Sequence, residues 1–200
     1  MRAAMRWAGM GAAMLVAATG AGAQSVQLQA RLDQAQEVPP SGSPATGFGT
    51  LLYNASAGTI NVTLSFQGLT GTTVPVGAGN APAHVHLAPP GVNGPIVIPL
   101  IGVSTGVTFF NNYVRSFTFA ELLSIGVTAA NVTSLEGELN RLVGTPQGTA
   151  ANLYFNVHTT TFGGGEIRGN LAVVPEPSTY VLMASGLAGL GLIARRRRVS

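Results

Sequence analysis

Short runs in which apolar and polar residues alternate are the feature that most constrains the fold of this chain. The clearest runs are residues 26–32 (VQLQARL) and 60–66 (INVTLSF), where every second side chain is apolar. Such alternation places the apolar side chains on one face of a β-strand, whereas a helix would need a period of 3.6 residues. Many glycines and prolines separate these runs, which favours turns between short strands. The chain is therefore predicted to be all-β, a sandwich or a barrel.

Other segments extend this pattern, and two segments break it. Further strands are predicted at residues 47–53, 83–87, 96–101, 105–110, 151–158 and 166–173. A short helix is predicted at residues 119–125, with Thr118 as its cap. A second helix is predicted at residues 131–143, where Thr133 and Glu136 have the spacing of a capping box. The expected fold thus contains one or two short helices beside the strands.

The charged residues are unevenly distributed along the chain. All 10 basic residues are arginines, and most of them lie near the two ends. Between residues 24 and 174 four arginines face six acidic residues, so this part carries a formal charge of −2. A domain of that charge offers no basic surface to a phosphate backbone, which excludes nucleic acid as a partner. The absence of cysteine excludes disulfides, thiolate metal ligands and cysteine nucleophiles.

Residues 1–23 have the organisation of a secretory signal peptide. Arg2 and Arg6 precede an apolar stretch at residues 7–18, and small residues follow up to Ala23. We expect signal peptidase to cleave between Ala23 and Gln24 and the protein to be exported. A membrane anchor is the alternative, although the apolar stretch is shorter than the ~20 residues that a spanning helix needs.

The carboxyl-terminal segment, residues 174–200, combines three features in order. Pro175, Glu176 and Pro177 come first, an uncharged stretch at residues 180–194 follows, and an arginine cluster at 195–198 ends it. A helix over the uncharged stretch would be only ~22 Å long, which is short against a hydrocarbon core of ~30 Å. The arginines would stay on the cytoplasmic side, so the domain would lie outside. A weak permanent anchor is one interpretation of this segment.

The same order of features closely resembles the PEP-CTERM sorting signal of Gram-negative bacteria that form exopolysaccharide. The resemblance implies that an exosortase recognises Pro175, Glu176 and Pro177 and removes the tail. It also implies a transient anchor in the inner membrane and a destination in the cell envelope or the extracellular matrix. It does not imply a biochemical activity.

Three histidines are the residues best suited to carry chemistry. His84 and His86 are two positions apart, so on a strand their side chains share one face. His158 ends another predicted strand, and pairing of the two strands would bring three imidazoles to one ion. Imidazole is a ligand of copper, zinc, iron and nickel. A mononuclear metal site is therefore one hypothesis, and polar or hydrogen-bonded histidines at a sheet edge are the alternative.

Three segments together resemble the CHRD domain, a family first defined in chordin. Residues 34–40 (QAQEVPP) match its N-terminal motif, and residues 83–88 (AHVHLA) match its central motif. Residues 154–159 (YFNVHT) and 165–169 (GEIRG) match its C-terminal signature. The resemblance implies that residues 24–173 form an immunoglobulin-like Greek-key sandwich or barrel with limited similarity to copper/zinc superoxide dismutase.

The likeness to the dismutase bears on the metal hypothesis. His84, His86 and His158 stand at positions that resemble part of the dismutase copper site. A binuclear copper/zinc site would need more than the three histidines that this chain has. The resemblance therefore leaves a mononuclear copper site, with weak redox activity at most.

Glu166 and Arg168 are two positions apart on the last predicted strand and share a face. Glu166 would orient a histidine through a hydrogen bond, and Arg168 would guide an anion. A structural ion pair between the two side chains is the favoured alternative. Gln36 and Glu37 precede two prolines and are predicted to begin a turn without a role in a site.

Two functions of different classes follow from these observations. The favoured one is a non-enzymatic structural or interaction module of the surface matrix, with exopolysaccharide or other matrix components as partners. The motif of a nucleophile elbow and that of a phosphate-binding loop are both absent from the sequence. The alternative is a copper-binding protein that uses the three histidines.

Overall fold

The computed structural model of the protein describes residues 25–175, residues 183–190 and Arg195. The predicted signal peptide, its cleavage site at Ala23 and Gln24, and the motif residues Glu176 and Pro177 lie outside the described residues. The strands are β1 Ser25–Leu32, β2 Thr46–Asn54, β3 Thr59–Gln67, β4 Ala83–Leu87, β5 Ile96–Pro99, β6 Phe110–Thr118, β7 Ala150–Val157 and β8 Ile167–Val174. The helices are α1 Phe119–Ser124 and α2 Ala129–Leu142, with short 3-10 turns at Gln34–Gln36 and Ala78–Asn80.

The eight strands form one curled antiparallel sheet in the order β5–β4–β7–β8–β1–β2–β3–β6. Consecutive strands pair in one half of it, β1 with β2 across a long loop and β2 with β3 across a short turn. Pairings between strands that are far apart in the sequence complete the sheet, because β4 pairs with β7 and β1 pairs with β8. The prediction of an all-β fold with a few short helices is confirmed.

The alternation in the sequence places one side-chain set of each strand in the core. On β1, residues Val26, Leu28, Ala30 and Leu32 are buried and the residues between them are more exposed. The same alternation continues on β2 and β3 and leads to one contiguous apolar core. Burial of a large apolar side chain contributes about 1.5–3 kcal/mol to folding, so these periodic strands make a substantial contribution to the core.

The helices close the gap between the two edges of the sheet. Helix α1 packs against both edge strands, β5 and β6, and α2 packs against β5 and β7. Leu122 of α1 and Leu135 and Leu139 of α2 are fully buried in the core. The apolar stripe predicted on the second helix is therefore the face that covers the open side of the curled sheet.

Two sequence-based predictions of secondary structure are wrong. The strand predicted at residues 105–110 is instead β6, which begins at Phe110. The preceding segment is a turn, in which Gly106 has a positive φ and its N–H donates to the Thr73 carbonyl. Helix α2 begins two residues earlier than predicted, because the Thr128 hydroxyl accepts a hydrogen bond from Asn131 N at 3.3 Å. Thr133 thus lies inside the helix and caps nothing.

One part of the sheet departs from the pattern of an apolar inner face and a solvated outer face. On β4, β7 and β8 several polar side chains that point away from the apolar core are buried, namely His84, His86, Asn156 and Arg168. Among the described residues, no helix has the length and hydropathy that crossing a membrane requires.

Candidate functional site

The structure brings the three histidines together on this buried polar face. His84 and His86 lie on β4, and His158 directly follows the end of β7, the neighbouring strand. The strand register places His84 opposite Asn156 and His86 opposite Tyr154. His84 is 0% exposed, His86 8% and His158 4%. The prediction that pairing of the two strands would gather three imidazoles agrees with this geometry, and the binding of a metal stays a hypothesis.

One nitrogen of each imidazole is fixed by a backbone carbonyl. Each of these nitrogens lies 2.9 Å from the carbonyl oxygen of a loop residue: His84 Nε2 at Val76, His86 Nδ1 at Gly94 and His158 Nδ1 at Gly163. A carbonyl oxygen only accepts, so each of these nitrogens carries the proton. The other nitrogen of each neutral ring therefore presents a lone pair.

The three lone pairs have no hydrogen-bond partner. His84 Nδ1, His86 Nε2 and His158 Nε2 are buried and unpaired. A ligand nitrogen from each of the three rings lies within 4.8 Å of the other two. Buried polar atoms without partners are rare because leaving one unsatisfied costs about 1–3 kcal/mol. Three such atoms close together are an arrangement that could hold a metal ion, and the carbonyl partners of the opposite nitrogens resemble the way that metal-binding histidines are oriented.

Burial keeps these imidazoles neutral. It lowers the pKa of His84 to about 3 and that of His86 to about 4, and the neighbouring imidazoles contribute to both shifts. Burial also lowers the pKa of His158. The three rings are therefore neutral at physiological pH, which is the form that binds metal ions.

Tyr154 and Arg168 form a second layer beside His86. The rings of Tyr154 and His86 stack with centroids 4.9 Å apart and planes 12° from parallel. The guanidinium carbon of Arg168 lies 3.4 Å from the centroid of the Tyr154 ring. Since β7 lies between β4 and β8, Tyr154 separates the histidine from the arginine. The fully buried Arg168 is thus held by a cation–π contact rather than by an anion.

Arg168 also holds the loop that orients His86. Its guanidinium donates to the Val92 carbonyl at 2.8 Å and to Asn93 Oδ1 at 3.1 Å. The next residue, Gly94, donates its N–H to the Tyr154 hydroxyl and accepts from His86. Arg168 is therefore connected to His86 by two routes, through the Tyr154 ring and through this loop.

Glu166 serves a different purpose from the one predicted. Its carboxylate accepts hydrogen bonds from the Ser43 and Thr159 hydroxyls, from the hydroxyl and the N–H of Thr70, and from Gly71 N. Burial alone would raise its pKa, but the Ser43, Thr70 and Thr159 donors hold the pKa of this carboxyl below its usual value. Each oxygen is occupied by these donors, so Glu166 joins three loops together.

The two interpretations of Glu166 and Arg168 made from the sequence are therefore corrected. Glu166 bonds to loop hydroxyls and amides and not to a histidine nitrogen, and the Arg168 guanidinium donates to the Val92 carbonyl and the Asn93 amide oxygen. Ion pairs within the described part of the chain join Arg115 to Glu121 and Arg141 to Glu138, and none joins Glu166 to Arg168.

Glu37 belongs to the same buried cluster, contrary to the prediction that it only begins a turn. It is 5% exposed, and its Oε1 atom and Asn156 Oδ1 both lack hydrogen-bond partners. Both atoms flank Gly165, whose φ is +134° and where an added Cβ would collide with each of them. Burial raises the pKa of Glu37 to about 7, although Arg168 opposes the shift.

The raised pKa of Glu37 predicts a pH-dependent stability. The folded-state value of about 7 lies above the ordinary value of 4.5. The contribution of Glu37 is therefore fully present below pH 4.5 and is lost as the pH rises towards 7 and beyond. We expect wild type to lose up to about 3 kcal/mol relative to Glu37→Gln across this range. Urea unfolding of both proteins at several pH values measures the difference, and parallel curves would show that Glu37 ionises normally.

The sequence spacing around His158 also indicates which polar residues lie beside it. Tyr154 and Asn156 on β7 and His158 directly after it are spaced by two, so the spacing predicts that the three polar side chains share one face. The carbonyl partners at Val76, Gly94 and Gly163 had no such signal, because they are backbone groups of loops.

The segments that carry the family resemblance meet at this end of the sheet. The segment at 34–40 supplies Glu37, the segment at 83–88 supplies His84 and His86, and the two late segments supply His158, Glu166 and Arg168. The model of the CHRD domain family matches residues 28–171, and the PEP-CTERM protein-sorting motif matches residues 173–198. Comparisons with curated proteins and with solved structures gave no match.

Proposed function

This chain belongs to the CHRD-domain family, and we propose that it is a non-enzymatic module of the cell-surface matrix. Its PEP-CTERM motif marks it as an exosortase-sorted protein, exported to the cell envelope or the extracellular space. The sorting motif is the observation that carries this proposal. The module would be delivered after signal peptidase and exosortase have removed the two ends, and exopolysaccharide or other matrix components would be its partners.

Replacement of the sorting motif tests this proposal. Pro175, Glu176 and Pro177 are changed together to alanine in a host that has an exosortase, and Pro90→Ala, in an exposed loop, is the matched control. We expect the variant to keep its tail and to accumulate in the inner-membrane fraction, because the processing enzyme no longer recognises it. Immunoblots of fractionated cells and matrix measure this. Release of the variant at the length and amount of wild type would contradict the proposal.

A second function, binding of one metal ion by the module, is favoured by a specific observation. Three buried imidazole nitrogens without hydrogen bonds converge within 4.8 Å of one another. Copper suits this all-imidazole donor set. The residues fit such an ion because each ring is already fixed through its opposite nitrogen.

Metal content tests the second function. The purified full chain, kept in mild detergent, is incubated with excess copper under reducing and under oxidising conditions and then desalted. Retention of a single equivalent per chain in either case supports the metal site. Retention no greater than that of a chain with all three histidines replaced by glutamine overturns it.

A further inference from the structure

We propose that the site formed by His84, His86 and His158 selects a monovalent soft cation, Cu(I), over divalent ions such as Zn²⁺ and Cu²⁺. This inference rests on the proposed metal-binding function and adds the charge of the ion that the site accepts. The proposal rests on two features of the site: its ligands carry no negative charge, and they are out of contact with solvent. The contacts of the described residues show both features.

The ligands supply no negative charge. The described cluster that is able to hold a metal consists of three histidines alone, and each ring is neutral in the tautomer that its carbonyl partner imposes. The cost of moving an ion out of water rises with the square of its charge, so a dication pays about four times as much as a monocation. Without a carboxylate to offset that cost, the site penalises divalent ions.

The nearby carboxylates, Glu166 and Glu37, are not available to supply the negative charge that the ligands lack. Glu166 is occupied by the donors of three loops, including Thr70 and Thr159. Glu37 lies within the field of Arg168. Arg168 itself places a positive charge next to Tyr154, and Tyr154 stacks on His86. The charge of Arg168 therefore adds to the repulsion that a dication would meet.

The enclosure of the site limits the number of ligands. The three free nitrogens are out of contact with bulk solvent, so water has little access to an ion that binds them. Protein sites for Zn²⁺ are almost always four-coordinate, with a water molecule or a fourth side chain completing the shell. A trigonal set of three nitrogens satisfies Cu(I), a d¹⁰ ion that accepts low coordination numbers. The described cluster offers those three donors and no fourth.

A preference for Cu(I) has a consequence for function. Oxidation of the bound ion would create the dication that the site disfavours, so the protein would hold copper in its reduced form. A module of this kind would bind or store copper at the cell surface rather than cycle it between oxidation states. This separates the chain from enzymes whose copper must alternate between two charges.

The experiment compares ions of different charge on the full chain in mild detergent. Cu(I) is added without oxygen in competition with a chromogenic Cu(I) chelator, and Ag(I) serves as a monovalent probe that does not undergo redox change. Zn²⁺ and Cu²⁺ are titrated separately. We expect Cu(I) and Ag(I) to bind at one equivalent and at least about 100-fold more tightly than Zn²⁺.

NMR of the histidine ring ¹⁵N nuclei locates the bound ion in the wild-type chain, so this measurement needs no substitution. Binding of Ag(I) is expected to shift the free nitrogens of all three rings and to leave the carbonyl-bound nitrogens protonated. Zn²⁺ or Cu²⁺ binding as tightly as Cu(I) would overturn the charge preference but keep the metal site. No shift with any of these ions would overturn both proposals.

Discussion

His86→Ala is expected to lower the affinity of the chain for Cu(I) by at least about 100-fold. Three nitrogens are the whole donor set within the described residues, so removal of one leaves two, which is too few for a tight site. The loss should be larger than that from any substitution that only moves a ligand. Competition with a chromogenic Cu(I) chelator measures the affinity of both proteins.

Two controls keep this result interpretable. Asn61→Ala alters an exposed side chain on β3, away from the histidines, and should bind as wild type does. Thermal unfolding of His86→Ala checks that the sheet persists after the ring has left the Tyr154 stack. A folded His86→Ala protein with wild-type affinity would show that copper binds elsewhere.

Glu166→Ala is expected to have the largest effect on stability, a loss of about 4 kcal/mol or more. The fully buried carboxylate accepts five hydrogen bonds from Ser43, Thr70, Gly71 and Thr159, and alanine would leave every donor unpaired. Since an ordinary domain is stable by only about 5–15 kcal/mol, this loss is a large fraction of the total. Urea unfolding monitored by circular dichroism measures it.

Glu121→Ala provides the matched control for this carboxylate. Glu121 pairs with Arg115 at 2.6 Å, but both side chains are about a third exposed. A surface ion pair of this kind contributes about 0–1 kcal/mol, so the control should remain close to wild type. Equal losses in the two variants would mean that Glu166 does not hold the three loops together.

The fold is largely predictable from sequence periodicity, and the predictions that are wrong have local causes. The alternation at residues 26–32 and 60–66 identified β1 and β3, since burial of every second side chain decides such strands. Strand β6 was misplaced because its core contacts, Tyr113 and Phe117, are four residues apart with Arg115 between them. Arg115 lies over the Phe117 ring and donates to Ile101, which is a tertiary arrangement that periodicity does not reveal.

The site is predictable only in part, for a physical reason. The spacing of His84 and His86 and the position of His158 indicated the cluster, because strand geometry alone decides which side chains share a face. The roles of Glu166 and Arg168 depend on loops that return from distant parts of the chain. Residues 70–71 and 89–94 supply those partners, and sequence spacing gives no indication of them.

A crystal structure of the copper-loaded chain is the most direct test of the central claim, that three histidines form a built metal site. Anomalous diffraction at the copper edge is expected to show one peak bonded to His84 Nδ1, His86 Nε2 and His158 Nε2, at the ~2.0 Å typical of metal–imidazole bonds. The opposite nitrogens should keep their carbonyl partners at Val76, Gly94 and Gly163. A peak elsewhere, or three histidine nitrogens still unpaired around an empty centre, would contradict the account.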